Sequence, residues 1–176
     1  PSVTHDPLRR ILVLGSGARE HALARALLRG APDRDVLVAP GNGGTHGAGL
    51  RSIDVDLAND EAAVELARRE GVDLVVVGPE GPLALGVVDA LAAAGILAFG
   101  PTRAAAELEA SKVFMKELVS SAGISTASFH VATTLAEAER AIDALGGAPV
   151  VVKADGLCGG KGVVVAATRE EALEAA

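Results

Sequence analysis

Apolar positions along the first hundred residues alternate between two rhythms. Arg9–Leu14 is a short aliphatic run closed by Gly15, the pattern of a strand buried on both faces of a parallel sheet. Glu20–Leu28 then places Leu23, Ala24, Leu27 and Leu28 at helical spacing, and Gly30 ends that helix. Asp35–Ala39 is a second strand, stopped by Pro40-Gly41 and followed by a glycine-rich loop over Gly41–Gly49. The spacing predicts a helix up to Glu70, with Asn59 as its cap and Gly71 as its stop. Leu74–Val77 is an apolar strand ended by Gly78-Pro79. Leu83–Ala94 is a helix with Pro82 near its first turn, where a missing N–H is tolerated. Leu97–Phe99 is a short strand. This succession predicts an α/β fold built on a doubly wound parallel sheet.

After Pro101 the rhythm changes. Thr102–Ala122 reads as helical and stops at Gly123, and Ser128–Val131 reads as a strand. Thr134 and Glu137 form a capping box for a helix reaching Leu145. Val150–Lys153 and Val163–Ala166 are strands joined by a loop holding Gly156, Gly159, Gly160 and Gly162. A second box, Thr168 with Glu171, opens a helix that runs to Ala176 and is expected to have been cut there. The three regions are 1–101, 102–123 and 124–176.

Composition narrows the function. Lys plus Arg number 16 and Asp plus Glu 23 among 176 residues, a net charge of −7. That balance argues against nucleic-acid binding, which rests on a basic surface. No apolar run approaches the ~20 residues that span a membrane, and no signal peptide is recognisable at the start. A single cysteine, Cys158, precludes an internal disulfide framework and suits a reducing cytoplasm. Three Phe with no Trp or Tyr leave little aromatic surface for stacking on bases.

Four segments carry candidate chemistry. Gly15-Ser16-Gly17-Ala18-Arg19-Glu20-His21 joins the first strand to the first helix, where glycines let the backbone approach an anion at a helix N-terminus. Glu20 stands where a dinucleotide fingerprint has glycine, and the second strand ends without an acidic residue for a ribose, which disfavours NAD. Pro40-Gly41-Asn42 and Gly78-Pro79-Glu80 each follow the carboxyl end of a predicted strand, the edge at which open α/β sheets bind ligands. Arg19, Asn42 and Glu80 are therefore expected at one crevice. His21 and His46 lack metal-ligand spacing. The fourth segment, Lys153 to Val163, departs from a P-loop and lies between two strands. A glycine hairpin with Lys161 can cover phosphates from above, and Lys153 is expected to carry a partly desolvated ammonium that an anion would meet.

These residues, together with Ile11–His21, Ala39–Thr45, Val77–Gly86, Phe99–Thr102, Ser111–Met115 and Val151–Val165 in that order, resemble the phosphoribosylamine–glycine ligase (glycinamide ribonucleotide synthetase) family of the ATP-grasp superfamily. The resemblance covers nearly the whole chain after residue 8. It implies an N-terminal pre-ATP-grasp substrate domain, a helical linker and an ATP-grasp small lobe, with the large lobe missing. It implies an enzyme of de novo purine synthesis that joins glycine to 5-phosphoribosylamine with ATP, giving glycinamide ribonucleotide, ADP and phosphate through glycyl phosphate. Gly15, Gly17, Arg19, Glu20, Asn42, Gly78, Pro79 and Glu80 match the family's signatures near phosphoribosylamine. Lys112 and Lys153 match its ATP-phosphate lysines, and Gly156, Gly159, Gly160, Lys161 and Gly162 match its flap. Mg²⁺ or Mn²⁺ would accompany ATP, with ligands expected in the missing lobe, so the fragment alone is expected to be inactive unless a C-terminal portion completes it. No catalytic side chain is assigned. Another ATP-grasp ligase, such as a biotin carboxylase, and a non-catalytic nucleotide-binding module remain the competing readings.

Overall fold

The computed structural model describes residues 8–176, so the first seven positions of the expected 1–101 region lie outside the described residues. The chain divides into two compact units, with the boundary between Ala106 and Glu107.

The first unit runs β1 (Arg10–Gly15), α1 (Ala18–Gly30), β2 (Asp35–Pro40), α2 (Gly43–Gly47), β3 (Arg51–Ser52), α3 (Asp60–Glu70), β4 (Leu74–Val77), α4 (Glu80–Leu85), α5 (Val87–Ala93) and β5 (Ala98–Phe99). The strands form one parallel sheet in the order β3-β2-β1-β4-β5. Alternation along β1 sorts the core into two layers. Leu12 and Leu14 pack with Leu37, Val75 and Val77 against α3 and α5, whereas Ile11 and Val13 pack with Val36, Val38 and Val76 against Ala24 of α1. Helices therefore cover both faces, and strands buried on both sides need no polar alternation. Each fully buried Leu or Ile contributes roughly 1.5–3 kcal/mol relative to exposure. The strand order reverses between β1 and β4, so a crevice opens beyond their carboxyl ends.

Four local features depart from expectation here and at the boundary. The 41–49 loop holds the short α2 and leads into the two-residue β3. The expected Leu83–Ala94 helix starts earlier and breaks at Gly86, whose φ of 106° is left-handed. The Thr102–Ala122 helical stretch is α6 (Arg103–Ala110) and α7 (Lys112–Ser121), separated at Ser111, the N-cap that accepts the Phe114 N–H.

The second unit continues with α7, then α8 (Leu135–Ala144), the antiparallel pair β6 (Val150–Lys153) and β7 (Val163–Ala166), and α9 (Arg169–Ala175). Ile142, Ala166 and Ala172 form its core with Val150, Val152 and Leu173. Val151 and Val165, paired across the hairpin, are exposed. Ser128–Val131 is not a strand: no backbone among the described residues pairs with it. Instead Lys116 Nζ donates to Thr126 Oγ1 at 2.6 Å and to the Ala127 carbonyl at 3.0 Å, holding the stretch just before it by a side chain. Among the described residues no helix is long and apolar enough to cross a membrane.

Candidate functional site

In the first unit, three strand ends meet at the reversal point. The turn after β1 is organised by a carboxylate of the chain itself. Glu20, buried at 4% exposure, accepts the Gly17 N–H at 2.7 Å through Oε2. A Cβ on Gly15 would lie 2.5 Å from Glu20 Cγ, one on Gly17 2.7 Å from Oε2, and one on Gly78 2.7 Å from Cγ. Three glycines from two strand ends thus leave a slot that the Glu20 side chain fills. The expectation that these glycines clear space for a bound anion is corrected in this respect: the group at the Gly17 N–H is the Glu20 side chain. An acid three residues into a helix satisfies donors that would otherwise be orphaned.

Arg19 spans the crevice from α1. Its Nη1 donates to the Gly78 carbonyl at 2.8 Å and its Nη2 to Glu80 Oε1 at 2.9 Å. Glu80's own backbone N–H and the Arg19 guanidinium hold its carboxyl below the usual glutamate value. Pro79 precedes it as the N-cap of α4. Asn42 ties the second strand end to the first, because its Nδ2 donates to the Ser16 carbonyl at 2.7 Å and to that of Gly17 at 3.3 Å. Its Oδ1 accepts from the Gly44 and Thr45 N–H groups and so caps α2. Arg19, Asn42, Gly78, Pro79 and Glu80 therefore come together with Gly15 and Gly17. Glu20 lies beneath them as a support.

Two residues that the sequence reading passed over hold this rim. Thr45 is fully buried, its hydroxyl donating to the Asn42 carbonyl at 2.7 Å and accepting the Asn42 N–H at 2.8 Å. Ser52 lies 3.1 Å from the same hydroxyl. The signal was the Asn42-x-x-Thr45 spacing, a helix cap hidden among glycines.

In the second unit the glycine hairpin is anchored by Asp155. Its Oδ1 accepts the Lys112 N–H at 2.6 Å and the Val113 N–H at 3.2 Å, and its Oδ2 accepts the Ser111 hydroxyl at 3.0 Å. Desolvation pushes the Asp155 carboxyl up, but the hydrogen bonds from Val113, Ser111, Gly156 and Lys112 outweigh it and leave the group below its ordinary value. Lys112 Nζ donates to the Gly156 carbonyl at 2.8 Å. Gly156, Gly159 and Gly160 have φ of 88°, 56° and 79°, so the loop turns where side chains are disfavoured. A Cβ on Gly162 would strike the Cys158 side chain at 2.7 Å. Lys161 is exposed. Lys153 is exposed too, which corrects the expected desolvated ammonium: it shares the outer side of β6 with Val151, which is exposed as well. Asp155 and Ser111 were not among the predicted site residues. The only hint was an acid beside a lysine and a glycine at a strand end.

The cation-bearing glycine hairpin suits phosphate groups, and the exposed lysines fit a nucleotide's charge. For a divalent cation the fit is poor, since no three His, Cys, Asp or Glu side chains cluster among the described residues.

Comparison with known proteins matches the two halves to one family. Residues 9–109 match the family model described as "Phosphoribosylglycinamide synthetase, N domain", and residues 110–176 the one described as "Phosphoribosylglycinamide synthetase, ATP-grasp (A) domain". The chain is 50% identical to a phosphoribosylamine–glycine ligase of Rhodopirellula baltica over 170 residues, covering 94% of this chain and 39% of that protein. It is 49% identical to one from Mycobacterium tuberculosis over 167 residues, covering 93% and 39%. The crystal structure of the Thermotoga maritima ligase superposes with a TM-score of 0.71 at 30% identity, covering 94% of this chain and 38% of that one. The biotin carboxylase domain of Hydrogenobacter thermophilus 2-oxoglutarate carboxylase shares the fold, with a TM-score of 0.75 at 24% identity, covering 97% and 40%. The chain thus spans about two fifths of the length of the relatives it matches.

Proposed function

The chain belongs to the phosphoribosylglycinamide synthetase family, and from that premise we propose that the protein carrying it ligates glycine to 5-phosphoribosylamine at the expense of ATP. A glycine carboxylate oxygen attacks the γ-phosphorus of ATP, and ADP leaves. The amine nitrogen of phosphoribosylamine then attacks the acyl carbon of glycyl phosphate. Phosphate leaves, a proton is lost and glycinamide ribonucleotide remains. A free carboxylate repels a nucleophile, whereas the acyl phosphate supplies a leaving group. The chain's own task is positioning and charge neutralisation.

In this reading the first unit is the phosphoribosylamine domain. Gly15, Gly17, Arg19, Asn42, Gly78, Pro79 and Glu80 form the rim that meets the sugar phosphate, and Glu20 holds the rim from below. Residues 102–123 serve as the linker. The region 124–176 is the small ATP-grasp lobe, whose Lys153 and loop from Gly156 to Gly162, with Lys161, meet ATP phosphates together with Lys112 of the linker. When bound, the divalent cation would neutralise phosphate charge. We place its ligands, and the large lobe, in the part of the relatives that this chain does not span. The reaction's substrates are small molecules, and a cytoplasmic setting fits the lone Cys158.

The observation that carries the reading is the tiling of the chain by two consecutive models of one family. It is supported by the stitching of the strand ends through Arg19, Asn42 and Glu80. The test is ADP release by the protein expressed from its complete reading frame. We expect release that requires both glycine and phosphoribosylamine. Release driven by bicarbonate instead, or none with any acceptor, would defeat the proposal.

A further inference from the structure

Beside the rim, between α1 and α2, lies an open cavity of about 460 Å³ lined by His21, Arg25, Leu28, Arg29, Gly44 and Gly47, with Ala48 at its edge. His21, Arg25 and Arg29 are four residues apart in succession and so share one stripe of α1. Among the described residues, neither Arg25 nor Arg29 has a carboxylate within ion-pair distance. His21 Nε2 is buried and is the only buried side-chain nitrogen or oxygen among those residues without a hydrogen-bond partner. A buried polar atom left unpaired is costly, and native structures rarely keep one without a reason. The opposite wall is bare: a Cβ on Gly47 would touch nothing, and one on Gly44 would come within 3.0 Å of His21 Nδ1. The chain as a whole is negative, at −7, so two unpaired guanidiniums beside an orphaned ring nitrogen stand out against that background.

We infer that this cavity is an anion site for a small phosphate monoester, in which Arg25 and Arg29 supply forked N–H donors beside the His21 ring. Planar guanidinium forks match the oxygens of phosphate, and a dianion would pair both guanidiniums at once. The inference does not rest on the ligase reading, because no residue of the cavity belongs to the rim proposed for phosphoribosylamine.

The test uses the chain itself. Amide and imidazole NMR shifts are followed during titration with inorganic phosphate, ribose 5-phosphate and ribose at matched ionic strength, in wild type, in the Arg25→Ala/Arg29→Ala double variant and in Arg19→Ala. Both arginines are exposed, so replacing them leaves the core intact. We expect phosphate and ribose 5-phosphate, but not ribose, to shift His21 and the residues of α2. The double variant should weaken that response at least tenfold, and Arg19→Ala should preserve it. A tighter response to ribose 5-phosphate than to phosphate identifies a sugar phosphate as the ligand class, and equal responses identify the phosphate group alone. No shift at His21 with either phosphate, an unchanged response in the double variant, or a response abolished only by Arg19→Ala overturns the inference.

Discussion

The side chain of Glu20 occupies the space that any side chain on Gly78 would need: a Cβ there would lie 2.7 Å from Glu20 Cγ. One residue sits at the start of α1 and the other just beyond β4, 58 positions apart, so the contact joins the two strand ends on which the crevice is built. Gly78→Ala should therefore destabilise the first unit by about 1–3 kcal/mol through overpacking. Glu20→Ala should also destabilise, because the Gly17 N–H loses its acceptor. The double variant should lose less than the sum of the two, since the clash disappears with Glu20. Urea unfolding of the four proteins measures the coupling. Strictly additive losses would show that the two residues do not share this space.

Arg19 should behave differently from Glu20, although they are adjacent. Its ion pair with Glu80 is more than 40% exposed on both sides, so Arg19→Ala should cost at most about 1 kcal/mol of stability. Under the proposed function the same change should weaken sugar-phosphate binding at least tenfold and leave ATP binding untouched. Calorimetric titration with each ligand separates the two. Equal losses in both would contradict a rim devoted to the sugar.

The strands were legible because strands buried on both faces write continuous apolar runs: Ile11–Leu14, Val36–Ala39 and Leu74–Val77 admit little else. The helices of the first unit were legible from Asn59, Gly30 and Gly71 at their ends. What stayed hidden lacked an apolar signature. β3 is Arg51 and Ser52, two polar residues held by pairing with Leu37 and Val38. Three of the five α2 residues are glycine, and it is held by Asn42 and Thr45 rather than by propensity. Ser128–Val131 carried a strand's composition but found no neighbour to pair with. At the site, the residue types pointed to the rim, yet the role of Glu20 did not follow from spacing. Only its burial shows that three glycines are there for its sake. Asp155 escaped because its partners are N–H groups of a helix start 43 residues earlier in the chain.

Asp73 should give the first unit part of its acid sensitivity. Its Oδ2 accepts the Arg10 N–H at 2.8 Å and the Arg9 N–H at 2.9 Å, fastening the start of β1 to the residue before β4. These bonds, Arg10's first and Arg9's second, hold its carboxyl below the ordinary 3.8. A value lowered on folding means that the stabilisation is complete above 3.8 and is lost as pH falls through the folded value. Asp73→Asn should thus lower the urea midpoint at neutral pH, with a difference that shrinks below about pH 4. A difference independent of pH would assign the effect to packing instead.

Lys112 and the flap share one anchor, and this sets what Asp155 must do if the lobe handles ATP. Asp155 holds the backbone of Lys112 and Val113, while Lys112 Nζ rests on the Gly156 carbonyl one residue beyond Asp155. Lys112 Nζ has two further N–H donors for a phosphate while it keeps that carbonyl, so the loop root depends on Lys112 and Asp155 together. Asp155→Ala removes the acceptor from four donors. Asp155→Asn keeps an acceptor oxygen and loses the charge. In the protein expressed from its complete reading frame, Asp155→Ala should raise the KM for ATP at least tenfold, and Asp155→Asn should raise it by less. The KM for glycine should stay unchanged in both. Limited proteolysis should cut between Gly156 and Gly162 faster in the alanine variant before ATP is added. A parallel loss of melting temperature with all KM values rising together would mark Asp155 as a support for the fold only. An ATP-specific loss that asparagine partly restores places it as the residue that positions Lys112 and the flap.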